Sequence, residues 1–145
     1  MGYHHWHKYG YGIKTTNITT HSVERLRIML KLAPVLESNI ASYFRLNGIT
    51  DPTWDDYMDY DVDCMCGLAT ILAEFLYEVE DISFTACSDW DGDLYLIYTP
   101  SYPWYTRESE KELTMIKLDE ILQKYIGMLT DEYVDIDFQE VGNGG

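Results

Sequence analysis

The sequence predicts an α+β fold in which a small antiparallel sheet is packed by about four helices. Apolar residues recur at spacings of three and four in several segments, as they do in amphipathic helices. The sheet is predicted from a hairpin over residues 82–99 and a C-terminal strand over residues 133–141. Helices and strands do not alternate regularly along the chain, which favours α+β over α/β. With 145 residues, one domain spanning residues 1–145 is expected.

The N-terminal region is predicted to be irregular and then extended. Residues 1–8 are expected to form a flexible arm, and the following Tyr-, Ile- and Thr-containing segment either forms a short strand or continues the arm. The first helix then begins with Thr20 or Ser22 as its N-cap. Pro34 is expected to end or kink this helix, because proline removes a backbone donor and disfavours helical geometry in the preceding residue.

Three longer helices and one short helix are predicted in the rest of the chain. PVLESNIASYFRLNG has apolar residues on one helical face, and Gly48 is expected in the left-handed conformation that ends many helices. Asp51-Pro52 is predicted to start a short helix with proline at its first position. CGLATILAEFLYEVED has the clearest apolar stripe, and ELTMIKLDEILQKYIGM is the last helix.

The hairpin is predicted from ISFTACSDW and DLYLIYTP, which flank Asp91-Gly92. Asp-Gly between β-rich runs favours a two-residue turn in which both residues have positive φ. In YVDIDFQEV, Val134, Ile136 and Phe138 are expected to face the core, while the intervening polar residues face solvent. Residues 142–145 are glycine-rich and are expected to be a flexible end.

The distribution of charge is the most unusual property of the sequence. The net charge is −15, and the 61 residues from 46 to 106 contain 13 Asp and Glu residues but no Lys or Arg. Disordered acidic segments are poor in aromatic residues, whereas this chain is 14% aromatic, so the charge is expected on a folded surface. Such a surface repels nucleic acid backbones and anionic membranes, and it favours a cationic protein as partner.

The sequence contains no segment typical of a signal peptide or a membrane-spanning helix. Three cysteines, an odd number, favour reduced thiols. We therefore expect a cytoplasmic protein.

One incomplete metal motif overlaps the hairpin turn. Asp89, Asp91 and Asp93 match the first ligand positions of an EF-hand loop, but Leu94 stands where glycine is required and Pro100 stands where glutamate is required. A hairpin explains the same residues, so calcium binding is not predicted.

A small metal-binding or Cys/His-dependent enzyme stays open as an alternative. Cys64 and Cys66 lack the spacing that suits tetrahedral zinc. His4, His5 and His7 lie within four residues. If Met1 is removed, the amine of Gly2 and the imidazole of His4 could chelate Cu(II) or Ni(II), or the histidines could stay solvated beside packed aromatic residues. No nucleophile signature or phosphate loop is present, so no catalytic residue, metal or cofactor is predicted.

The predicted site is the negative surface itself. Aspartates from several elements, with aromatic residues between them, have the composition of a protein-binding surface more than of a solubilising one. One row of aspartates on a strand is too sparse to imitate a line of phosphates, but a sheet face with an adjoining acidic helix could match that density. The predicted partner-binding residues are Asp55, Asp56, Asp59, Asp61, Asp89, Asp91, Asp93, Trp54, Tyr57 and Trp90.

Four short motifs resemble a group of small acidic phage or prophage proteins: residues 7–12, Asp91-Gly92, residues 102–104 and residues 143–145. In size and charge the chain is also similar to anti-CRISPR proteins. These resemblances imply a non-enzymatic anti-defence protein that mimics DNA and inhibits a host nucleic-acid-binding protein such as a CRISPR effector nuclease. A third reading is a structural or regulatory phage protein that self-associates through its aromatic N-terminus.

Overall fold

The computed structural model describes residues 5–60, 66–99 and 114–144. The predicted α+β fold is confirmed: a four-stranded antiparallel sheet is combined with five α-helices in the described residues. A short 3₁₀ helix, Thr15–Asn17, follows the first strand. In chain order the other elements are β1 His5–Lys14, α1 Val23–Leu30, α2 Pro34–Leu46, α3 Trp54–Met58, α4 Leu68–Glu80, β2 Thr85–Ser88, β3 Leu94–Tyr98, α5 Met115–Leu129 and β4 Asp137–Gly144.

The strand order is β2-β3-β1-β4, so the N-terminal strand lies inside the sheet. β1 pairs with β4 over eight positions, from His5 opposite Gly144 to Gly12 opposite Asp137. The arm predicted for residues 1–8 therefore contains the start of a strand, and the end predicted for residues 142–145 contains the end of another. Each terminus supplies the hydrogen-bonding partner of the other, a pairing that local sequence does not indicate. The flexibility expected for both ends stays a prediction.

Glycines in β1 let the neighbouring backbone approach closely. A Cβ on Gly12 would overlap the Leu96 carbonyl oxygen and lie 2.9 Å from the Ile97 Cα, and one on Gly10 would lie 2.6 Å from the Tyr98 carbonyl oxygen. No side chain fits in that space, because real Cβ atoms do not approach backbone atoms so closely. β1 can therefore lie against β3 only with glycine at these two positions.

The sheet curls until its two edges meet. The Trp90 N–H, in the loop after β2, donates a hydrogen bond of 3.2 Å to the Gly142 carbonyl oxygen of the opposite edge strand. A small core forms on the face away from the helices, made of Cys87, Tyr95, Ile97 and Val141, each at most 8% exposed. Curling thus covers a sheet face that would otherwise expose apolar residues.

The main core lies between the other sheet face and the helices. Helix α4 buries the stripe predicted for it, including Ile71, Phe75 and Leu76, and α5 buries Leu122 against the same cluster. Burial of each such side chain contributes roughly 1.5–3 kcal/mol relative to exposure. These contacts hold α4 and α5 against the sheet.

The helix ends agree with the sequence at two positions and differ at one. Ser22 caps α1 by accepting a hydrogen bond from the Arg25 N–H, and Gly48 has the expected positive φ of 68° after α2. The short helix α3 does not begin at Pro52. Thr53 is its N-cap, because its hydroxyl accepts from the Asp56 N–H while the Asp56 carboxylate accepts from the Thr53 N–H. This reciprocal capping box satisfies the backbone N–H groups of Thr53 and Asp56. A proline side chain has no hydrogen-bond acceptor and cannot cap a helix in this way.

The hairpin exists, but its turn differs from the prediction. Among described non-glycine residues only Asp81 has a positive φ, so Asp91 does not adopt the geometry expected for it, while Gly92 does, with φ of 84°. The loop instead spans residues 89–93 and is closed by a hydrogen bond of 3.0 Å from the Asp89 N–H to the Asp93 carbonyl oxygen. The strand boundaries also differ from the prediction. β2 begins at Thr85 rather than at residue 82, and β4 spans Asp137–Gly144 rather than residues 133–141.

Glu132, after α5, ties together two distant segments. Its carboxylate accepts hydrogen bonds from the Thr19 and Thr20 N–H groups at 3.1 and 2.7 Å, from their hydroxyls, and from the Thr130 hydroxyl at 2.9 Å. The hydrogen bonds from Thr20 and Thr19 lower the pKa of Glu132 to about 2. Hydrogen bonds of this kind favour the charged carboxylate. The segment before α1 is therefore fastened to the segment before β4.

Removal of this charge is expected to alter acid stability. Because the pKa of Glu132 is lower in the folded chain, its contribution is fully present above about pH 4.5 and is lost as the pH falls from there to about 2. Glu132→Gln should lower the free energy of unfolding at pH 7 and flatten its pH dependence between pH 4.5 and 2, measured by urea denaturation. Glu120→Gln, an exposed change on α5, is the control. Identical pH profiles for both variants would contradict the assignment.

Candidate partner-binding surface

The two elements that carry most of the predicted site lie side by side. A Cβ on Gly67 would lie 3.4 Å from the Met58 Sδ and 3.7 Å from the Leu94 Cδ1. Met58 ends α3, and Leu94 begins β3 directly after the acidic loop. Gly67 precedes α4 with φ of 54° and leaves room for both side chains. The acidic helix and the acidic loop therefore flank the same point of the fold.

The segment between β1 and α1 links the same two elements. The Thr15 hydroxyl donates a hydrogen bond of 3.0 Å to the Leu94 carbonyl oxygen. A few residues later, the His21 ring stacks on Trp54 of α3, with centroids 5.0 Å apart and an interplanar angle of 5°. The position of α3 beside the hairpin is thus fixed by contacts on two sides.

In and beside α3, the aspartates have different roles. Asp55 and Asp59 are exposed to solvent. The Asp56 carboxylate is half-buried and accepts a hydrogen bond of 2.8 Å from the Thr53 N–H, so it serves the capping box. Two carboxylates of this region, those of Asp55 and Asp59, are therefore presented outward.

The aromatic residues predicted beside them are largely part of the fold. Tyr57 is only 6% exposed, packs edge-on against Phe44 at 4.9 Å, and accepts a hydrogen bond of 3.2 Å from the Arg27 Nε. Trp54 is half-buried beneath His21. Tyr57 thus presents almost no surface to a partner, and Trp54 presents part of one.

The hairpin loop contains three aspartates, two of which hold the loop together. The Asp89 carboxylate accepts hydrogen bonds from the Asp91 and Asp93 N–H groups at 2.9 and 3.0 Å, and from the Tyr95 hydroxyl at 3.0 Å. Asp93 pairs with the Lys14 Nζ at 2.9 Å, and this contact lowers the pKa of Asp93. Asp91 is exposed.

Trp90 lies next to Asp91 at the tip of this loop and is 59% exposed. Its backbone is held by the hydrogen bond to Gly142 of β4. The loop therefore presents an aromatic ring and a carboxylate, Trp90 and Asp91, on a backbone fixed from both ends.

The three loop carboxylates lie within 4.8 Å of one another, close enough to share a cation. The Lys14 ammonium already occupies one side of this group through Asp93, and the backbone N–H groups occupy Asp89. Donors within the protein thus satisfy the carboxylates of Asp89 and Asp93, which do not need a metal ion to be neutralised or hydrogen-bonded.

The role of Asp89 can be tested directly. Asp89→Ala leaves two backbone N–H groups and the Tyr95 hydroxyl without their acceptor, so it should lower the free energy of unfolding by about 1–3 kcal/mol. Asp91→Ala, which removes an exposed carboxylate from the same loop, should have an effect below about 0.5 kcal/mol. Urea denaturation of both variants measures the difference. Equal stabilities would show that Asp89 does not organise the loop.

A second acidic and aromatic surface lies at the β1–β4 pair and was not predicted. Phe138, expected to face the core, is 46% exposed and stacks on Tyr9, which is 58% exposed. Partial burial and the carboxylates of Asp119, Asp137 and Asp135 raise the pKa of Tyr11, which lies beside Phe138. The alternation of apolar residues in the C-terminal strand gave no signal that one of them faces outward.

A groove of about 580 Å³ lies between α2 and α4 and is mainly apolar. Val35 and Tyr77 on its walls are 64% and 56% exposed. The Glu78 carboxylate in this groove accepts hydrogen bonds from the Val35 and Leu36 N–H groups at 3.0 and 2.9 Å, and so caps α2. This groove is distinct from both acidic surfaces.

Three residues considered in the sequence analysis, Asp61, Cys64 and His4, lie outside the described residues. The predictions made for them are therefore not tested. Cys66 and Cys87 are buried, Cys66 in the main core and Cys87 in the small core of the curled sheet. Neither described thiol is therefore presented at the surface.

Comparisons of the chain with protein-family models, curated proteins and solved structures found no significant match. Within residues 5–60, 66–99 and 114–144, no helix combines the length and the apolar composition needed to cross a membrane. Functional interpretation therefore depends on the chemistry of the exposed residues themselves.

Proposed function

We propose that this protein is a non-enzymatic inhibitor that binds the cationic nucleic-acid-binding site of another protein. The observation that carries the proposal is the exposure of Asp55, Asp59 and Asp91, with Trp90, on two elements that meet at Gly67. We refer to Asp55, Asp59, Trp90 and Asp91 as the acidic surface. They belong to a stretch of 61 residues, from 46 to 106, without Lys or Arg.

Inhibition arises because this protein and the nucleic acid compete for the same cationic groups of the partner. Carboxylates of the acidic surface pair with Lys and Arg side chains that otherwise hold phosphates, and this charge complementarity accelerates association. Trp90 is a suitable anchor, because tryptophan is enriched among residues that dominate binding energy. Asp89 and Asp93 contribute indirectly, since they hold the loop in one conformation before binding and so reduce the entropy lost on association.

The resemblance to small phage proteins and to anti-CRISPR proteins suggests which partner to test first. A host defence nuclease, such as a CRISPR effector, has an extended cationic channel for nucleic acid. The protein would then act in the host cytoplasm, bind the nuclease rather than DNA, and block nucleic acid entry. Its net charge of −15 supports this choice, because an acidic chain does not bind nucleic acid backbones unaided.

Affinity capture from nuclease-treated host lysate tests the proposal. The wild-type chain is immobilised, loaded at low salt and eluted with high salt, and a variant with Asp55, Asp59 and Asp91 changed to lysine is the control bait. We expect the wild-type eluate to contain a nucleic-acid-binding protein that the control bait does not retain. An eluate identical for both baits would contradict the proposed surface.

A further inference from the structure

Three aromatic rings form a row across β1 and β4, which we refer to as the aromatic shelf: Tyr9, Tyr11 and Phe138. Tyr11 and Phe138 are cross-strand partners, and Tyr9 is two residues before Tyr11 and so lies on the same face. The rings of Tyr9 and Phe138 stack at 5.9 Å with an angle of 18°, and Tyr11 meets Phe138 edge-on at 5.3 Å. Tyr9 and Phe138 are 58% and 46% exposed, so part of each residue is open to a ligand.

Carboxylates surround this shelf. The Asp119 Oδ1 of α5 accepts a hydrogen bond of 3.4 Å from the Tyr11 hydroxyl. Asp137, the first residue of β4, and Asp135, two residues before it, are exposed. Asp119 also lines a cleft of about 250 Å³ between α5 and the segment before β4. In the residues whose side chains are described, 9–60, 66–99 and 114–142, no Lys or Arg lines this cleft or lies over the three rings.

We propose that the aromatic shelf is a docking site for an arginine side chain of a protein partner, with its guanidinium stacked on Phe138 and Tyr9 and paired with the neighbouring carboxylates. A guanidinium is planar and weakly hydrated, so it stacks on an aromatic face and hydrogen-bonds to a carboxylate in the same plane. An ammonium group pairs with the carboxylates and is attracted to a ring face, but it has no planar face to stack on the ring. The shelf therefore distinguishes arginine from lysine, which a purely acidic surface does not.

This site is independent of the proposed function, because it shares no residue with the acidic surface. Two synthetic peptides test it, identical Gly/Ser sequences with three arginines or three lysines, and the dissociation constants are measured by titration at low salt. We expect the arginine peptide to bind the wild-type chain about two- to fivefold more tightly, because the guanidinium adds planar stacking to the cation–π attraction that both cations share. Equal affinities for the two peptides would overturn the proposal.

Two variants and one spectroscopic measurement complete the test. Phe138→Leu keeps an apolar side chain but removes the ring, so the preference for arginine should disappear, whereas Tyr77→Leu, an exposed aromatic change in the groove between α2 and α4, should leave it unchanged. A preference that persists in Phe138→Leu would overturn the proposal. Aromatic NMR shifts of Tyr9 and Phe138 in the wild-type chain provide a second readout if Phe138→Leu is poorly folded. The arginine peptide should shift these resonances, and unchanged resonances would also overturn it.

Discussion

Changing Asp55, Asp59 and Asp91 to lysine is expected to abolish inhibition of the partner. These three carboxylates are exposed, and their replacement places positive charge opposite the Lys and Arg side chains of the proposed partner. Like charges facing each other across an interface cost several kcal/mol, so the affinity should fall at least about 100-fold, which corresponds to about 3 kcal/mol. The measurement is the dissociation constant for the captured partner at low salt.

The control for this variant has the same change in net charge at other exposed positions. Glu24, Glu37 and Glu120 are exposed, and Glu24 and Glu37 stand in the first turns of their helices, as Asp55 does in α3. Their replacement by lysine therefore matches the effect on helix ends and on overall charge. We expect the control triple to retain most of the affinity. If both triples lose affinity equally, net charge rather than the acidic surface governs binding.

Gly12→Val should destabilise the fold by at least about 3 kcal/mol. A Cβ at this position meets the backbone of Leu96 and Ile97, which cannot move without separating β1 from β3. β1 joins β3 to β4, so displacement of this strand disturbs the whole sheet. Urea denaturation measures the loss as a lower midpoint with an unchanged slope.

Gly127→Ala is the matched control. Gly127 lies within α5, and nothing lies within 4 Å of a Cβ added there. Alanine has the higher helix propensity, so this variant should be more stable by about 0.5–1 kcal/mol. A Gly12→Val variant as stable as the wild type would show that the close approach of β1 to β3 is not required.

Helices were more predictable from the sequence than strands, for a physical reason. The apolar stripe of α4 and the caps at Ser22 and Gly48 are local signals, and the structure confirms them. The central strand β1 contains two glycines, which have low β propensity, and its partners lie more than 80 residues away. The same glycines allow the close strand packing, so the residues that weakened the prediction are those that the fold needs.

The candidate site was predictable as a composition but not as a set of roles. From the sequence, Asp89, Asp91 and Asp93 are indistinguishable. In the structure, Asp89 accepts hydrogen bonds from backbone N–H groups, Asp93 pairs with Lys14, and Asp91 is exposed. These partners are fixed by the loop conformation and by a strand almost 80 residues away, which residue type alone does not indicate. The outward position of Phe138 likewise depends on the pairing of β4 with β1, which local periodicity cannot reveal.

A competition experiment between this protein and DNA for the captured partner tests most directly whether the acidic surface binds where the DNA phosphates bind. Fluorescence anisotropy of a labelled duplex bound to the partner is followed as the protein is added, at several DNA concentrations and two salt concentrations. The apparent inhibition constant should rise linearly with the DNA concentration, and the inhibition constant extrapolated to zero DNA should be larger at the higher salt. A ternary complex in which the partner holds DNA and this protein together, with an inhibition constant independent of DNA, would contradict competition.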